Sequence, residues 1–216
     1  MDSLEFRKQY RQNVIPAHYR PWLHVGFNFT VLSLLPIVFL FQVQSPSFLE
    51  WLTLLLFLVL GNFAVFFIHK YLLHRRIALI APHTFDIHSK QHHLFYTHEH
   101  IEWDSTKDFY ILFFPWWTIA AFAALLLPAL YFSLSLFLSP NVVWLALSGA
   151  SLYFLLYETL HWISHLPEQH PLLRVRGLRW MRNHHLVHHN PHLMHHYNFN
   201  IVYPLSDWLF KTTYKP

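Results

Sequence analysis

Four long apolar segments constrain the fold of this chain more than any other feature of its sequence. They run over about Trp22–Val43, Phe48–Ile68, Phe109–Leu138 and Val142–Trp162. A helix needs about 20 apolar residues to cross the hydrocarbon core of a bilayer, and three of the segments have that length. The third is interrupted by Pro115 and Pro128. It fits either one long tilted helix or a short interfacial piece ending near Pro115 followed by a span. The sequence predicts an all-α integral membrane protein with about four transmembrane helices.

The composition agrees with a membrane environment. Charged residues make up 12% of the 216 residues, about half the fraction of a soluble domain. The first 21 residues are polar and basic, and the apolar stretch after them is too long for a signal peptide and lacks a small-residue cleavage site. We therefore expect residues 1–216 to form a single membrane-embedded domain. The basic residues flank membrane segments, so the net charge of +4 does not indicate nucleic-acid binding.

The basic residues also predict the topology. All 15 Lys and Arg residues lie within 1–21, 69–108 and 163–216, whereas the short connections 44–47 and 139–141 contain none. An excess of Lys and Arg marks the cytoplasmic side of a membrane. We therefore expect both termini and the middle loop on the cytoplasmic side, either of a bacterial inner membrane or of the endoplasmic reticulum.

Histidine is the second unusual feature, with 20 copies that avoid the two short connections. Four histidine boxes stand out: His69-Lys-Tyr-Leu-Leu-His74, His88-Ser-Lys-Gln-His92-His93, His161-Trp-Ile-Ser-His165 and His185-Leu-Val-His188-His189. The predicted topology brings all four to one side of the membrane. Ten imidazoles exceed what one ion uses, so the boxes predict two metal ions on the cytoplasmic side.

The spacing within the boxes suits metal binding. Residues three and four apart share a helix face, so His161 and His165 are stacked, and the last box forms a face of three nitrogens. His69 and His74 are five apart, about 140° around an α-helix. That pair suits two different metals, or a helix end that unwinds. On a helix, His88, His92 and His93 would cover a somewhat wider arc than the histidines of the last box.

The residue types limit the chemistry of the site. Imidazole suits Fe, Zn, Cu and Ni, and a chain without cysteine has no thiolate or iron–sulfur site. Acidic residues are few, and some could orient imidazoles. The candidates for that role are Asp86, Glu99, Glu102, Asp104, Asp108 and Glu158. Single histidines outside the boxes are expected to be surface or satisfied core residues, namely His18, His24, His98, His100 and His170. His192-Leu-Met-His195-His196 repeats the spacing of the last box, and spacing alone does not choose between the two.

The boxes and their surroundings resemble a known family. The last box is preceded by basic residues, in Arg179-Trp-Met-Arg-Asn-His-His-Leu-Val-His-His189, and followed by Asn198-Phe199 and Pro204-Leu-Ser-Asp-Trp-Leu-Phe210. With the other boxes, this pattern resembles the fatty acid hydroxylase/sterol desaturase superfamily over about residues 60–212. The second box departs from the family's pattern, with three residues between His88 and His92 where the family usually has two. Lys211 stands where the family often has Gly.

The resemblance implies more than the residues alone. It selects His185, His188 and His189 as the family's last box, with His196 a candidate extra ligand and His192 and His195 local additions. It implies four membrane helices under a cytoplasmic-side, helical, histidine-rich cap that holds two iron ions. It also implies O2 as co-substrate and hydroxylation of a C–H bond in a membrane lipid such as a fatty acyl chain, a sphingolipid or a sterol. Since no cytochrome b5-like segment is present, electrons are expected from a separate cytochrome b5-, ferredoxin- or rubredoxin-like protein.

Other functions fit the same residues. A desaturase or an aldehyde-processing oxygenase of the same family uses the same boxes. A zinc-dependent membrane hydrolase is less consistent, because it normally keeps about three protein ligands and a water. A metal transporter is less consistent because the spans contain few ionisable groups. Since Zn binds imidazole more tightly than Fe(II), purified protein could contain zinc that is not native.

Overall fold

A computed structural model describes residues 2–77 and 82–215. The chain is 69% helical, with no strand among the described residues. Four helices are long and apolar enough to cross a membrane: Pro21–Leu40, Phe48–Leu73, Trp116–Ser135 and Pro140–Ser164. The all-helical class and the four candidate spans are confirmed. The cytoplasmic orientation and the single-domain organisation stay predictions.

Eleven α-helical stretches occur in the described residues. They are α1 (Ser3–Asn13), α2 (Pro21–Leu40), α3 (Phe48–Phe67), α4 (Pro82–Phe85), α5 (His93–Phe95), α6 (Phe109–Leu112), α7 (Trp116–Ala121), α8 (Leu127–Ser135), α9 (Pro140–Ser164), α10 (Arg176–His188) and α11 (Leu205–Leu209). Three π-helical turns join some of them, at Ile68–Leu73, Asp86–His92 and Phe122–Leu126. Short 3₁₀ turns occur at Thr106–Asp108 and Pro171–Arg174.

The chain divides into two compact units. The histidine unit contains Met1–Pro21, Asn62–Phe113 and Thr159–Pro216, and the span unit contains Trp22–Gly61 and Phe114–Glu158. All ten box histidines belong to the histidine unit.

Two glycines allow close helix packing in the span unit. A Cβ on Gly61 would lie 2.5 Å from the Tyr153 ring, and a Cβ on Gly149 would lie 2.9 Å from the Leu54 carbonyl oxygen. Small residues at helix contacts let backbones approach within a membrane, where apolar burial gives little driving force. Glycine at these two positions therefore allows α3 and α9 to pack closely.

The third apolar segment is broken before Pro115, as one of the two sequence interpretations requires. Helix α6 ends at Leu112, and α7 begins at Trp116. The break frees the N–H and C=O groups of Phe114, which need partners in an apolar medium. The N–H donates to Glu158 Oε1 at 3.1 Å, and the carbonyl accepts from His24 Nε2 and Asn28 Nδ2, each at 2.8 Å. Polar side chains of α2 and α9 therefore satisfy the interrupted backbone.

Helix α1 is held in the histidine unit by two arginines. The buried Arg7 guanidinium donates to the Phe95 carbonyl at 2.6 Å and to Asp104 at 2.7 Å. Arg11 binds the buried Asp108 carboxylate through two contacts of 2.7 and 2.8 Å. Arginine forks match carboxylates bidentately, which fixes orientation as well as adding energy. The N-terminal helix is thus attached to the segment that follows the second histidine box.

Candidate metal centre

Two π-helical turns place the first two boxes. In Ile68–Leu73 the backbone N–H of His74 donates to the His69 carbonyl at 3.1 Å, which is an i→i+5 bond. In Asp86–His92 the N–H of His93 donates to the His88 carbonyl in the same way. A π-turn brings residues five apart onto one face, which an α-helix does not. The His69–His74 spacing therefore reflects an altered helix end, not two different metals.

The last two boxes come from ordinary α-helices. His161 lies in the last turn of α9, and His165 directly follows the end of that helix. His185 and His188 lie in the last turn of α10, and His189 caps it. The i,i+4 relation puts His161 and His165 on one face, as the spacing predicted. The last box does not act as one face of three nitrogens, because His185 and His188 belong to different groups of histidines.

The structure brings the box histidines into two buried clusters. In each cluster the possible ligand atoms all lie within 4.8 Å of one another. The first cluster is His69, His74, His88, His93 and His188; the second cluster is His92, His161, His165 and His185. His88, the residue at the unusual spacing, thus belongs to the first cluster. Each cluster offers enough imidazoles for one metal ion.

His189 contacts both clusters. Its Nε2 lies 2.9 Å from Nε2 of His185 in the second cluster. Its ring stacks on His93 of the first cluster, with centroids 4.3 Å apart. The tenth predicted histidine therefore lies where the two clusters adjoin.

Backbone carbonyls form hydrogen bonds with Nδ1 of several box histidines. The Nδ1 atom of His165 is 2.7 Å from the Ile101 oxygen, that of His188 is 2.9 Å from the Tyr197 oxygen, and that of His92 is 3.2 Å from the Ile111 oxygen. Nδ1 of His69 and of His189 face the carbonyls of Phe199 and Tyr96. A carbonyl only accepts, so each of these Nδ1 atoms carries the proton. Nε2 is then left with a lone pair.

The Nε2 atoms of these rings converge closely. Pairs of Nε2 atoms lie 2.9 Å apart in His69–His88, 3.0 Å apart in His74–His188 and 3.1 Å apart in His165–His185. His185 Nε2 faces two of these fixed lone pairs, on His165 at 3.1 Å and on His189 at 2.9 Å, and a single proton on His185 can satisfy only one of them. A cation bound by all three Nε2 atoms would satisfy them together. Nε2 of His92 is buried without a hydrogen-bond partner among the described residues. This donor set fits metal ions, and Nε2 is the atom that would bind them.

Burial keeps the imidazoles neutral. It lowers the pKa of His92 from its ordinary 6.5 to about 4. Burial first, and neighbouring histidines second, hold the pKa well below 6.5 for His74, His88, His93, His165 and His185. The pKa values of His188 and His189 are also well below 6.5, chiefly through burial. Neutral imidazole is the form that binds metal, so the clusters are in the binding form at neutral pH.

Five of the six acidic residues expected near the histidines have other partners. Asp86 contacts Lys90 at 2.7 Å, and Glu158 accepts the Phe114 N–H. Asp104 and Asp108 bind the arginines of α1, and Glu102 binds Arg182 at 3.1 Å. Among the described residues, the Nδ1 atoms of several box histidines face backbone carbonyls, and Nδ1 of His74 faces the Ser89 hydroxyl at 3.2 Å. Backbone carbonyls carry no signal in a sequence, so the sequence could not indicate them.

Other histidines lie outside the two clusters. His24 is in the span unit, and His192, His195 and His196 are exposed. The His195 ring approaches His74 at a centroid distance of 5.4 Å, so it lies beside the first cluster. His18, His98, His100 and His170 do not join either cluster.

Asp207 is a supporting residue that sequence reasoning missed. Its carboxylate is fully buried, accepts the backbone N–H groups of Phe199 and Asn200 at 2.9 and 2.8 Å, and lies 3.3 Å from Nε2 of His184. The Phe199 carbonyl in turn faces His69. The only sequence signal for Asp207 is its place in the Pro204–Phe210 ending.

Comparison with known proteins gives no match, whether to a family model, a curated protein or a solved structure. The inference about function therefore rests on the site. A buried, neutral, all-imidazole centre with two clusters can bind two metal ions in a chain with four candidate membrane spans.

Proposed function

We propose that this chain is a membrane-bound di-iron oxygenase of the fatty acid hydroxylase/sterol desaturase superfamily, which hydroxylates a C–H bond of a membrane lipid. The observation that carries the proposal is the convergence of two buried imidazole clusters in a chain with four candidate spans. In the net reaction, one atom of O2 enters the C–H bond and the other leaves as water. Two electrons come from a separate donor protein, and two protons come from solvent.

The donor set favours redox-active iron over a hydrolytic zinc site. A catalytic zinc site normally keeps about three protein ligands and one open position. The clusters offer five and four imidazoles, with His189 between them. Bound iron would supply O2 activation and the oxidation of carbon, chemistry that protein side chains lack. The superfamily assignment adds the lipid substrate to this proposal, and the distribution of Lys and Arg adds the cytoplasmic orientation.

The chain's own residues would set the geometry of the centre. The carbonyls of Ile101, Tyr197 and Ile111 fix the rings of His165, His188 and His92 with Nε2 inward. All three rings are at most 3% exposed, so bulk water is excluded from their Nε2 atoms. A dry site protects a strongly oxidising reaction from side reactions with solvent.

The test is metal content and lipid analysis together. Protein purified anaerobically with iron supplied should contain about two irons per chain, one for each cluster. Cells that express it should contain a new hydroxylated lipid, and this product should require O2. A His18→Ala variant should keep both metals and the product, because His18 is exposed and outside both clusters, whereas His188→Ala, within the first cluster, should lower both.

The other outcomes distinguish the alternatives. A new double bond in a lipid would indicate a desaturase, and a shortened or oxidised aldehyde would indicate an aldehyde-processing oxygenase. Turnover without O2 would indicate a zinc hydrolase. Metal uptake into liposomes without lipid oxidation would indicate a transporter. Each of these results would contradict hydroxylation.

A further inference from the structure

The C-terminal helix α11 packs against the end of α3, within the candidate span Phe48–Leu73. The polar side chain of Asn62, in the last third of α3, accepts the Ser206 hydroxyl at 2.7 Å and the Ser206 N–H at 3.2 Å. The side-chain amide nitrogen of Asn62 donates to the Tyr203 backbone carbonyl. The backbone carbonyl of Asn62 accepts from the Asn200 side chain at 3.0 Å. A polar group inside an apolar span is costly unless it is paired. Residues 200–206, which lead into α11 and form its start, supply that pairing.

An aromatic contact continues along the same helix end. The Phe210 ring stacks on Phe66 with centroids 5.0 Å apart, and it meets Phe67 at 5.5 Å and Phe63 at 6.2 Å. Phe66 is buried by these contacts, whereas Phe67 remains 44% exposed. Residues 203–210 therefore lie beside α3 from Asn62 to Phe67.

This position sets the depth of α11 relative to a bilayer. Helix α3 forms the first 20 residues of the candidate span Phe48–Leu73, which continues through the π-turn at Ile68–Leu73. At 1.5 Å per residue, α3 alone extends about 30 Å, the thickness of a hydrocarbon core. The six residues from Asn62 to Phe67 cover about the last 9 Å of that length. If α3 crosses the bilayer, α11 lies beside the outermost part of the hydrocarbon region.

The outer face of this segment is apolar and exposed. Tyr203 is 51% exposed, Trp208 48%, Leu209 61% and Phe210 43%; we call these four residues the C-terminal patch. Tyr203 and Trp208 are in edge contact at 5.0 Å, so the patch is continuous. Trp and Tyr are enriched where a membrane meets water, since their rings are apolar and their N–H or O–H groups are polar.

Basic residues flank the patch. Lys211 follows it directly and is exposed. Arg75 is also exposed and lies over the Tyr71 ring, 4.8 Å from its centroid, and that ring stacks on Phe67. Basic side chains beside an apolar face favour anionic lipid headgroups.

We infer that the C-terminal patch is inserted into one leaflet of the bilayer and anchors the histidine unit to the membrane surface. The partner is the lipid bilayer, because the patch is continuous with the exposed Phe67 on the side of a candidate span. Amphipathic segments of this kind bury their apolar face about 5–10 Å into the boundary between headgroups and acyl chains. The inference depends on the candidate spans and not on the reaction that the chain performs.

The absence of cysteine makes a direct test possible, since one introduced cysteine carries the only spin label. The full-length chain is labelled in separate Leu209→Cys and Trp208→Cys variants and placed in nanodiscs of phosphatidylcholine and phosphatidylglycerol. Power saturation then compares collisions of the label with O2, which concentrates in lipid, and with a water-soluble nickel chelate. Leu56→Cys, 53% exposed within α3, is the lipid control. Glu99→Cys, exposed beside a polar cavity that Glu102 also lines, is the aqueous control.

We expect the ratio of O2 to nickel collisions at positions 208 and 209 to exceed that at position 99 several-fold and to approach that at position 56. A ratio equal to that at position 99 would overturn the inference. Labels shielded from both reagents would also overturn it, because a protein surface would then cover the patch. Both substitutions are at exposed positions, and either variant alone suffices if the other does not fold.

Discussion

Replacing Asp207 with asparagine should lower the metal affinity of the first cluster and leave that of the second cluster unchanged. Burial alone would raise the pKa of Asp207, but hydrogen bonds from His184, Thr212 and two backbone N–H groups more than offset this and lower the pKa. The ionised carboxylate thus fixes the segment whose Phe199 carbonyl faces His69. No residue of the second cluster takes its carbonyl partner from this segment in the contacts that we find.

The cost follows from the hydrogen bonds that the amide cannot accept. Oδ1 accepts from Phe199 N and from Thr212 Oγ1 at 2.9 and 2.7 Å, and Oδ2 accepts from Asn200 N at 2.8 Å and faces His184 Nε2. Asparagine keeps one oxygen, so two buried donors lose their acceptor. Each unsatisfied group costs about 1–3 kcal/mol, which predicts a loss of roughly 4 kcal/mol in the free energy of unfolding.

Metal affinity is the more specific readout. Loss of a residue that orients a ligand typically lowers affinity about 10- to 100-fold. Titration of the metal-free chain with Co²⁺ in nanodiscs should therefore show one site weakened within that range and one site unchanged. Glu168→Gln, the same chemical change at an exposed residue whose carboxylate lies 3.9 Å from Arg179, is the control and should bind like the parent. Equal weakening of both sites, or no weakening, would refute the positioning role of Asp207.

Three further predictions follow from the clusters and from α1. His188→Ala and His161→Ala each remove a ligand from a different cluster, so each variant should fall to about one tightly bound metal per chain by elemental analysis. Arg7→Met leaves buried carbonyl partners unpaired and should lower the unfolding free energy by about 3 kcal/mol, whereas the exposed Lys8→Met should change it by less than about 0.5 kcal/mol in denaturant titrations. The metal-free chain should lose stability as pH falls from 6.5 towards 4, because the unfolded chain then binds protons that buried His92 does not. Its pKa of about 4 predicts about 3 kcal/mol from this residue in melting curves recorded across that window.

Each of these expectations can be contradicted. If His188→Ala and His161→Ala each retained two metals, the result would contradict the assignment of one metal to each cluster. Equal effects of the two α1 substitutions would show that the arginine contacts do not hold that helix. A metal-free chain whose stability stays flat between pH 6.5 and 4 would show that its imidazoles are not buried and neutral.

Much of the architecture was predictable because it depends on composition and periodicity. Apolar length predicted the four candidate spans, and the interruption before Pro115 left two interpretations between which only the structure decides. The i,i+4 spacing of His161 and His165 placed them on one face because α9 is an ordinary helix there. The box histidines were predictable as a set, since all ten lie in or against the two clusters.

The rest depended on features that residue types do not encode. The π-turns at Ile68–Leu73 and Asp86–His92 change which residues share a face, and nothing in their letters distinguishes them from α-turns. This is why His69 and His74 lie in one cluster. The carbonyls that fix the rings come from backbone far away in sequence, such as Tyr96 for His189. Their positions follow from tertiary packing alone.

The order of the histidines along the chain has a consequence for biosynthesis. The first cluster contains His69 but also needs His188, and the second contains His92 but also needs His185. These late ligands lie on α10, which the ribosome makes after the last candidate span, Pro140–Ser164. A nascent chain halted before residue 185 therefore has neither cluster complete. Metal loading is thus expected to follow insertion of the spans, and a prematurely terminated chain would remain in the membrane without a finished centre.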